Sequence, residues 1–427
     1  MMEKICVIGL GYIGLPTAAI FAKAGYEILG VDVNEKAINL INEGKIHIEE
    51  VGLPEVVKEV VLSGNLRASK TVEEADVFII SVPTPIHEDH TANVDYVTSA
   101  TESILPYIKK GNVVIVESTI PPRTIDDVVA PLFEKSGWNV KEDIYLAHCP
   151  ERVLPGRILI ELVENTRIVG GYTPEAAHQA AEVYRKIVTG DVIETQAVTA
   201  EMSKLMENTY RDVNISLANE LAKISAELGV NTLDVIKLAN RHPRVNIHTP
   251  GPGVGGHCLA VDPYFIIEKA PELSPLIATA RKINNSMPAF VLDCVKKLVN
   301  SGGKIAVLGL TYKGNIDDVR ESPAMEIVSL LSEHNFQVSV HDPHVNQNQV
   351  FFPLHNFKDA ISGAECILVL TDHNEFNELD EKCIVMNMRR PIILDTKDCV
   401  KTYNDSIVYY NFNNLYDVIN NKIETLI

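Results

Sequence analysis

Near its start the chain reads Lys4-Ile-Cys-Val-Ile-Gly9-Leu-Gly11-Tyr-Ile-Gly14, an apolar run followed by three spaced glycines. We predict a buried strand, a tight turn at Gly9 and a helix that begins near Gly14. Gly11 would let a pyrophosphate approach the backbone, and the N-terminus of the helix would face the phosphates. The second predicted strand ends at Asp32, 18 residues beyond Gly14. A carboxylate there accepts a hydrogen bond from a ribose 2′-hydroxyl and repels a 2′-phosphate, so the segment predicts a dinucleotide-binding fold that takes NAD rather than NADP.

Strand-like apolar runs alternate with helical stretches along most of the chain, which is typical of doubly wound α/β domains. In the first part, strands are predicted at 4–9, 27–32, 76–82, 112–117, 144–148, 167–171 and 191–194. Residues 200–228 contain no Gly or Pro and predict one long helix. Further strands are predicted at 304–309, 337–341, 366–370 and 392–395. We therefore predict an α/β fold with two Rossmann-like doubly wound domains, at 1–198 and 301–427, joined by a helical central region at 199–300. We expect the two α/β domains to share their architecture without an alignable sequence repeat.

The composition argues against several classes of protein. Of the 427 residues 46% are hydrophobic and 22% are charged, as in globular proteins. The formal net charge of −19 disfavours binding to nucleic acid or to an anionic membrane. We find no signal peptide and no apolar run of about 18 residues, the length that would span a bilayer. The seven cysteines are scattered, without a CxxC pair or metal-ligand spacing, so we expect reduced thiols, a cytoplasmic location and no metal.

A cysteine ends the glycine-rich run Gly251-Pro-Gly-Val-Gly-Gly-His257-Cys258, and Asp262 follows shortly after. Glycines allow a backbone to approach a ligand closely. A thiol in such a place can act as a covalent nucleophile once it is deprotonated. A lone cysteine is more often a small buried apolar residue, but this context favours a nucleophile at Cys258. His257 is not the expected base, because adjacent residues rarely face each other.

The predicted long helix carries Lys204, Asn208 and Arg211, whose spacing of four and three places them on one face. Two interpretations stay open. The three residues form either a solvated polar stripe or a set of groups that binds a sugar or stabilises an oxyanion. A lysine close to Cys258 would also favour the thiolate.

Three other polar segments have competing interpretations. The loop Arg241–Asn246 could capture a phosphate or complement a helix dipole. Ser322 with Pro323 predicts a helix N-terminus whatever the function. The segment His87-Glu-Asp-His90 has the composition of a metal site, but we interpret it as a solvated loop.

Long motifs, in order, make the chain resemble the UDP-glucose/GDP-mannose 6-dehydrogenase family over essentially its full length. The motifs are GLGYIGLPTAA from Gly9, SVPTP from Ser81, CPERVLPG from Cys149, MSKLMEN from Met202, RDVNI from Arg211, ANRHPRVN from Ala239, GPGVGGHC from Gly251 and NIDDVRESPA from Asn315. The CPERVLPG segment differs from its counterpart in UDP-glucose enzymes. We therefore expect a UDP-N-acetylhexosamine substrate, UDP-N-acetylmannosamine first and UDP-N-acetylglucosamine as the alternative, with UDP-glucose less favoured.

The resemblance implies a four-electron oxidation that reduces two NAD molecules. The C6 alcohol of the sugar becomes an aldehyde, which Cys258 traps as a thiohemiacetal. The second oxidation leaves a thioester, and water cleaves it to the carboxylate. Lys204 is implied as an acid/base or oxyanion-stabilising group with Asn208 beside it. Asp262 and Thr119 are implied to order the water or the lysine, and Glu151 to serve the hydrolytic end of the reaction.

The resemblance also implies which residues bind the ligands. Cofactor contacts are expected from Gly9, Gly11, Tyr12, Ile13, Gly14, Asp32, Pro83, Thr84, Thr119 and Arg320. Substrate contacts are expected from Glu151, Arg152, Val153, Lys204, Asn208, Arg211, His242, Arg244, Gly255, Tyr312 and Lys313. The helical central region is expected to form a homodimer in which His242 and Arg244 reach the neighbouring site, and residues 301–427 to bind the UDP-sugar. Near the C-terminus, Asp395-Thr-Lys397-Asp398 lacks the glycine and arginine of close relatives, so one late substrate contact is not carried over.

Two other classes of function fit part of the sequence. A two-electron hydroxy-acid dehydrogenase would keep the lysine helix but would not need Cys258. A non-catalytic nucleotide-sugar binding protein would need neither the thiol nor the lysine, and their occurrence together with the dinucleotide motif argues against it.

Overall fold

The computed structural model describes residues 3–154 and 156–420 and divides into two compact units. Unit 1 comprises Met1–Glu207 and Tyr264–Pro271, and unit 2 comprises Asn208–Pro263 and Glu272–Ile427. Two of the three divisions fall within the helices Ala197–Leu228 and Asp262–Lys269, and the third falls in the short 3-10 helix Pro271–Leu273. The three domain boundaries expected from the sequence stay a prediction.

Unit 1 is built on a twisted sheet that is parallel apart from one pair of strands. Its strands are β1 (Lys4–Ile8), β2 (Glu27–Val31), β3 (Leu66–Ser69), β4 (Val77–Ile80), β5 (Val113–Val116), β6 (Tyr145–His148), β7 (Arg167–Gly171) and β8 (Val192–Gln196). Their order is β3-β2-β1-β4-β5-β6-β7-β8, and only the β6–β7 pair is antiparallel. β1, β4 and β5 are buried on both faces, as their continuous apolar sequences require.

Helices connect these strands. They are α1 (Gly14–Lys23), α2 (Glu35–Asn42), α3 (Leu53–Leu62), α4 (Asp95–Ile104), α5 (Ala130–Lys135), α6 (Ile158–Glu164), α7 (Pro174–Arg185) and α8 (Ala197–Leu228), of which unit 1 holds the first part. The small residues Ala18, Ala19 and Ala22 of α1 are fully buried, which lets the helix lie close to the sheet. α8 has 32 residues and confirms the predicted long helix.

Unit 2 contains a smaller sheet of the same kind. Its strands are β9 (Lys304–Leu308), β10 (Gln337–His341), β11 (Cys366–Val369), β12 (Ile392–Asp395) and β13 (Val408–Asn411), all parallel in the order β10-β9-β11-β12-β13. The remaining helices are α9 (Thr232–Ala239), α10 (Asp262–Lys269), α11 (Pro275–Asn285), α12 (Met287–Leu298), α13 (Pro323–Glu333), α14 (Phe357–Ile361), α15 (Glu381–Asn387) and α16 (Leu415–Ile419). The predicted fold class, two Rossmann-like sheets with a helical region between them in the chain, is confirmed. The predicted N-cap is also present, because the Ser322 side chain accepts from Ala324 N at the start of α13.

The two sheets begin with the same sequence, and our expectation that no repeat could be aligned is wrong. The segment Lys304–Gly314 matches Lys4–Gly14 at seven of 11 positions. Gly9 and Gly309 end the two first strands with φ of 91° and 88°. In both units an aspartate at the end of the next strand accepts from the backbone N of the second turn residue. Asp32 does so from Leu10 at 2.8 Å and Asp342 from Leu310 at 2.7 Å. Thr311 stands where the first copy has Gly11.

Candidate active site

The turn between β1 and α1 depends on contacts that only glycine permits. A Cβ at Gly14 would collide with the carbonyl oxygen of Gly9, and a Cβ at Gly9 would collide with that of Ser81. At Gly11, by contrast, a Cβ would meet nothing within 4 Å. The backbone at Gly11 therefore faces open space, as the approach of a pyrophosphate requires, and the residues of this turn fit NAD. Tyr12 is exposed and Ile13 half-buried at the same turn.

Asp32 lies at the same edge of the sheet. Its Oδ2 accepts from Leu10 N at 2.8 Å and its Oδ1 from Asn34 N at 2.8 Å. These bonds fix the carboxylate beyond the end of β2, and each oxygen keeps a lone pair for a ribose hydroxyl. Its negative charge opposes a 2′-phosphate, so the geometry agrees with NAD as the cofactor.

The loops after β4 and β5 bring Pro83, Thr84 and Thr119 together. Thr84 Oγ1 donates to the carbonyl oxygen of Thr119 at 2.5 Å. Ser118 Oγ accepts from Val82 N at 2.9 Å and donates to Val82 O at 2.7 Å. Three hydrogen bonds therefore fasten one loop to the other at the carboxyl edge of the sheet, beside the turn that fits the cofactor.

Cys258 differs from the buried cysteines of the chain. It is exposed, in the turn that leads into α10, whereas Cys6, Cys149, Cys294 and Cys366 are buried. Burial raises the pKa of each of those four thiols to about 12. Because the thiolate is the nucleophile, they are unsuited to covalent chemistry at neutral pH.

Both ends of the glycine-rich loop are bound to α8. At one end Asp262 Oδ2 accepts from Asn208 Nδ2 at 2.7 Å, and both side chains are buried. At the other end Gly251 N donates to Asn219 Oδ1 at 2.9 Å. Asn208 and Asn219 are 11 residues apart, about three helical turns, and so share one face of α8. The structure thus brings together two predicted residues, Asn208 and Asp262, and adds Asn219, which we did not predict.

A buried polar network supports this second anchor. Asn219 Nδ2 donates to Asn284 Oδ1 at 2.9 Å, and Asn284 Nδ2 donates to Asp212 Oδ1 at 2.8 Å. Arg281 Nη1 donates to the same Asp212 oxygen at 2.5 Å. The network ties α8 to α11 beneath the start of the loop. The sequence carried one signal for this network: Asp212 and Asn219 are polar residues on the face of α8 that is buried in the core.

His257 is occupied by neighbouring side chains. Its Nε2 lies 3.0 Å from Arg320 Nη2, and Arg320 also binds Asp318 at 2.8 Å. Burial, followed by the charge of Arg320, lowers the pKa of His257. A ring nitrogen that faces a guanidinium is poorly placed to accept a proton, and the expectation that His257 is not the base stays a prediction. The side chain of Arg320, an expected cofactor contact, is about half exposed beside it.

The polar residues of α8 divide by burial. Lys204 and Asn208 are buried, whereas Arg211 is exposed and its neighbour Asp212 is buried. The charge of Lys204 reaches His148 at the end of β6. Burial, with the Lys204 charge as a smaller cause, lowers the pKa of His148 to about 3. His148 is therefore neutral at physiological pH.

The expected substrate residues after β6 are held in place. Glu151 is buried and pairs with Arg167 at 2.5 Å. The Arg152 guanidinium binds Glu207 at 2.7 Å and the carbonyl oxygen of Thr166 at 3.1 Å. Val153 is half-buried. Arg152 thus serves to fix this loop, a role that we did not predict.

In unit 2 Gly255 packs directly on the turn after β9. A Cβ at Gly255 would lie 2.8 Å from Tyr312 Cβ, so only glycine fits. Tyr312 is half-buried and Lys313 exposed at the carboxyl edge of the second sheet. His242 and Arg244 are exposed in the turn after α9, where Arg244 N lies 3.3 Å from His242 Nδ1.

One group of described residues, His344, His373 and Glu375, has ligand atoms within 4.8 Å of one another. Both ring nitrogens of His373 are already used. Nδ1 accepts from Asn315 N at 2.9 Å, and Nε2 lies 3.1 Å from Asp342 Oδ2. We interpret the group as a support for Asp342 rather than a metal site.

A cofactor turn that fits NAD in one sheet, a second sheet of the same design and an exposed thiol on a braced loop define a dehydrogenase of nucleotide-linked substrates. The chain belongs to the UDP-glucose/GDP-mannose dehydrogenase family. The NAD-binding domain of that family matches residues 3–188, its central domain 198–286 and its UDP-binding domain 306–402. The protein is therefore an NAD-dependent UDP-sugar dehydrogenase, as the resemblance implied.

Individual relatives refine the comparison. The chain is 50% identical, over 94% of each sequence, to the UDP-N-acetyl-D-mannosamine dehydrogenase of Methanococcus maripaludis. It is 45% identical to the NDP-N-acetyl-D-galactosaminuronic acid dehydrogenase of Ralstonia solanacearum, over 92% of this chain and 96% of that one. The crystal structure of a UDP-N-acetyl-mannosamine dehydrogenase from Staphylococcus aureus is 53% identical, with a TM-score of 0.91 over 97% of this chain and 100% of that one. Within the described part of the chain, no helix has the length and apolar character needed to cross a membrane.

Proposed function

We propose that the protein oxidises the C6 alcohol of UDP-N-acetyl-D-mannosamine to the carboxylate, with two NAD reduced per sugar. The exposed Cys258, on a loop braced at both ends, is the observation that carries this proposal. The identity of the chain to UDP-N-acetylmannosamine dehydrogenases supports the choice of sugar. The seven cysteines are scattered along the sequence without a CxxC pair, which supports a reducing, cytoplasmic setting.

The chemistry divides among the residues of the chain. NAD, when bound, accepts one hydride from C6 in each oxidation. Cys258 Sγ adds to the C6 aldehyde, and Lys204 stabilises the negative charge that develops on the former carbonyl oxygen. The hydrogen bond between Asn208 and Asp262 fixes the first residue of α10, and with it the preceding turn that carries the Cys258 thiol. Loss of the second hydride leaves a thioester of Cys258.

Hydrolysis completes the reaction. Glu151 accepts a proton as a water oxygen bonds to the thioester carbon. The carbon–sulfur bond then breaks, Cys258 leaves as a thiolate, and the uronic acid loses its proton. The net reaction consumes the alcohol, two NAD and one water, and it forms the carboxylate, two NADH and three protons.

The remaining expected residues would hold the two ligands. On unit 1, Gly9, Gly11, Tyr12, Ile13, Gly14, Asp32, Pro83, Thr84 and Thr119 would bind NAD. Arg152, Val153, Arg211, Gly255, Tyr312 and Lys313 would contact the UDP-sugar, and Arg320 the cofactor. The basic side chains supply the positive charge that a diphosphate needs on a protein of net charge −19.

The substrate test is a panel of UDP-sugars assayed for NADH and for the uronic acid. We expect UDP-N-acetylmannosamine to give the highest kcat/KM, with UDP-N-acetylglucosamine, UDP-N-acetylgalactosamine and UDP-glucose as comparisons. Several pairs of these sugars differ only in the orientation of one hydroxyl or of the acetamide. A kcat/KM ratio of about 100-fold between such a pair would reflect one polar contact. A higher kcat/KM for UDP-N-acetylglucosamine or UDP-N-acetylgalactosamine would reassign the sugar.

The proposed homodimer forms through an apolar stripe on the second part of α8. Tyr210, Leu217, Ile224 and Leu228 are between 49% and 69% exposed, at intervals of seven, seven and four residues. This spacing repeats once per heptad, the pattern of helices that pair along one seam. The stripe runs from Tyr210 to Leu228, about 27 Å of helix. A second copy of the same helix matches it best, because a two-fold pair places identical surfaces together.

We expect Leu217→Glu combined with Ile224→Glu to give a monomer in sedimentation velocity, because two charges would be buried in the seam. Leu273→Glu, at an exposed leucine outside α8, should leave the dimer intact. If His242 and Arg244 reach the neighbouring site, mixing Arg244→Ala subunits with Cys258→Ser subunits should restore activity. A dimeric double variant would contradict the proposed seam, and no recovery at any mixing ratio would contradict the shared site.

A further inference from the structure

A cluster of charged and polar side chains is buried in unit 1, where an apolar core is the rule. Glu117 is 1% exposed, Arg167 2% and Glu151 9%, and Tyr184 is fully buried. Burying two carboxylates and a guanidinium is costly unless each finds close partners. The chemistry proposed above uses only Glu151, so the other three residues require an explanation.

Arg167 and the backbone hold both oxygens of Glu151. Arg167 Nη1 donates to Oε2 at 2.5 Å, and Arg152 N donates to Oε1 at 2.6 Å. Two such bonds to a single carboxylate fix both its position and the plane of its oxygens. The orientation of Glu151 therefore depends directly on Arg167.

Arg167 is itself rigidly placed. It is the first residue of β7, and its backbone N donates to Asp191 O at 2.8 Å. Its guanidinium lies 5.1 Å from the centre of the Tyr184 ring. Tyr184 OH donates to Glu117 Oε1 at 2.7 Å, and Thr17 Oγ1 donates to Glu117 Oε2 at 3.3 Å. Thr17 belongs to α1, so the cluster extends from the helix of the cofactor turn to Glu151.

The two carboxylates of the cluster differ. Burial raises the pKa of Glu117 well above its usual range, with Arg167 opposing the rise and Glu151 adding to it. Glu117 also has two hydroxyl partners, whereas the carboxylate of Glu151 contacts Arg167 directly. The Arg167 guanidinium therefore binds the carboxylate of Glu151, not that of Glu117.

Glu151 is also in the right part of the sheet. It follows β6 by three residues, at the carboxyl edge that holds Gly9, Thr84 and Thr119. A structural ion pair could lie anywhere in the core, but this one ends at the edge where ligands bind in doubly wound sheets.

We propose that Arg167 is the positioning residue for Glu151 in the cleavage of the thioester. It orients the carboxylate so that one oxygen accepts the proton of the attacking water while oxygen bonds to the thioester carbon and Cys258 departs as thiolate. This inference rests on the proposed function. Arg167 contacts neither sugar nor cofactor and acts only through Glu151.

The experiment compares Arg167→Met, Arg167→Lys, Glu151→Gln and the double variant Glu151→Gln/Arg167→Met in single turnovers. UDP-N-acetylmannosamine is mixed with enzyme and excess NAD, the NADH burst is followed, and the adduct on Cys258 is measured by mass spectrometry. We expect Arg167→Met to keep the burst of two NADH per site but to lower kcat by about 100-fold, the scale of a misplaced general base. KM should change little, and the thioester should accumulate.

Four comparisons make the result specific. Arg167→Lys should recover part of kcat, and hydroxylamine, which cleaves thioesters without a base, should release the trapped sugar from Arg167→Met. The double variant should be no slower than Glu151→Gln alone, because both changes remove the same step. It also lacks the unpaired buried charge, so it tests the inference if Arg167→Met folds poorly. Arg185→Met, at an arginine in surface ion pairs, is the control and should match the unaltered enzyme.

The outcomes separate the two proposals. Two results would overturn the role of Arg167 and leave the proposed function intact. In the first, Glu151→Gln accumulates the thioester but Arg167→Met loses the NADH burst. In the second, the double variant is much slower than Glu151→Gln. A Glu151→Gln enzyme that releases one NADH and carries no adduct on Cys258 would overturn the proposed function itself.

Discussion

Cys258→Ser is expected to abolish formation of the uronic acid. Serine has nearly the size of cysteine and the side chain is exposed, so the fold should be unchanged. A hydroxyl at neutral pH is a far weaker nucleophile than a thiolate, and we expect carboxylate formation to fall by about 10⁴-fold or more. The first oxidation does not need the thiol, so at most one NADH should form per site. The measurement is a pre-steady-state NADH trace with product analysis.

Cys383→Ser provides the matched control, since Cys383 is a half-buried thiol of α15 outside the glycine-rich loop. It should keep full activity. Substantial uronic acid formation by Cys258→Ser would remove the covalent route and leave a direct oxidation of a hydrated aldehyde.

Lys204→Ala is expected to have the second largest effect. Lys204 is 7% exposed, and its neighbour His148 is held neutral because burial lowers the pKa of His148 to about 3. In the proposed reaction the lysine stabilises the oxyanion that forms at C6. Removing one such group lowers kcat by about 10²–10³-fold, and KM should change much less.

The control for this variant is Lys223→Ala on the same helix, where the lysine binds Ser286 Oγ at 2.6 Å. It should show nearly normal kcat. If Lys204→Ala changed KM alone, the lysine would bind the substrate without stabilising the transition state.

Much of the fold could be predicted from local sequence. The apolar run before Gly9 and the helix after Gly14 form as expected, because a buried parallel strand and a glycine turn leave few alternatives. β3 and β13 were not predicted. Leu66–Ser69 and Val408–Asn411 are edge strands of only four residues, and segments this short are distinguished from loops mainly by their partners in the sheet. The repeat at Lys304–Gly314 was detectable in the sequence by direct alignment with Lys4–Gly14.

The sequence predicts candidate site residues where a motif carries the chemistry. Glycines, Asp32 and Cys258 are recognisable because few other residues could do their work. The resemblance named Asn208 and Asp262 separately, but their hydrogen bond was not predicted, because 54 residues separate them in the chain. Arg167 gave no signal. It begins an apolar strand, its partner lies 16 residues earlier beyond a helix, and its near-complete burial is a property of tertiary packing.

The most direct measurement is the ratio of NADH to uronic acid during steady turnover of UDP-N-acetylmannosamine by the unaltered enzyme. A thiol that holds the half-oxidised sugar predicts two NADH for each carboxylate, with no free aldehyde at any time. One NADH for each sugar consumed, with an aldehyde released to solution, would contradict it.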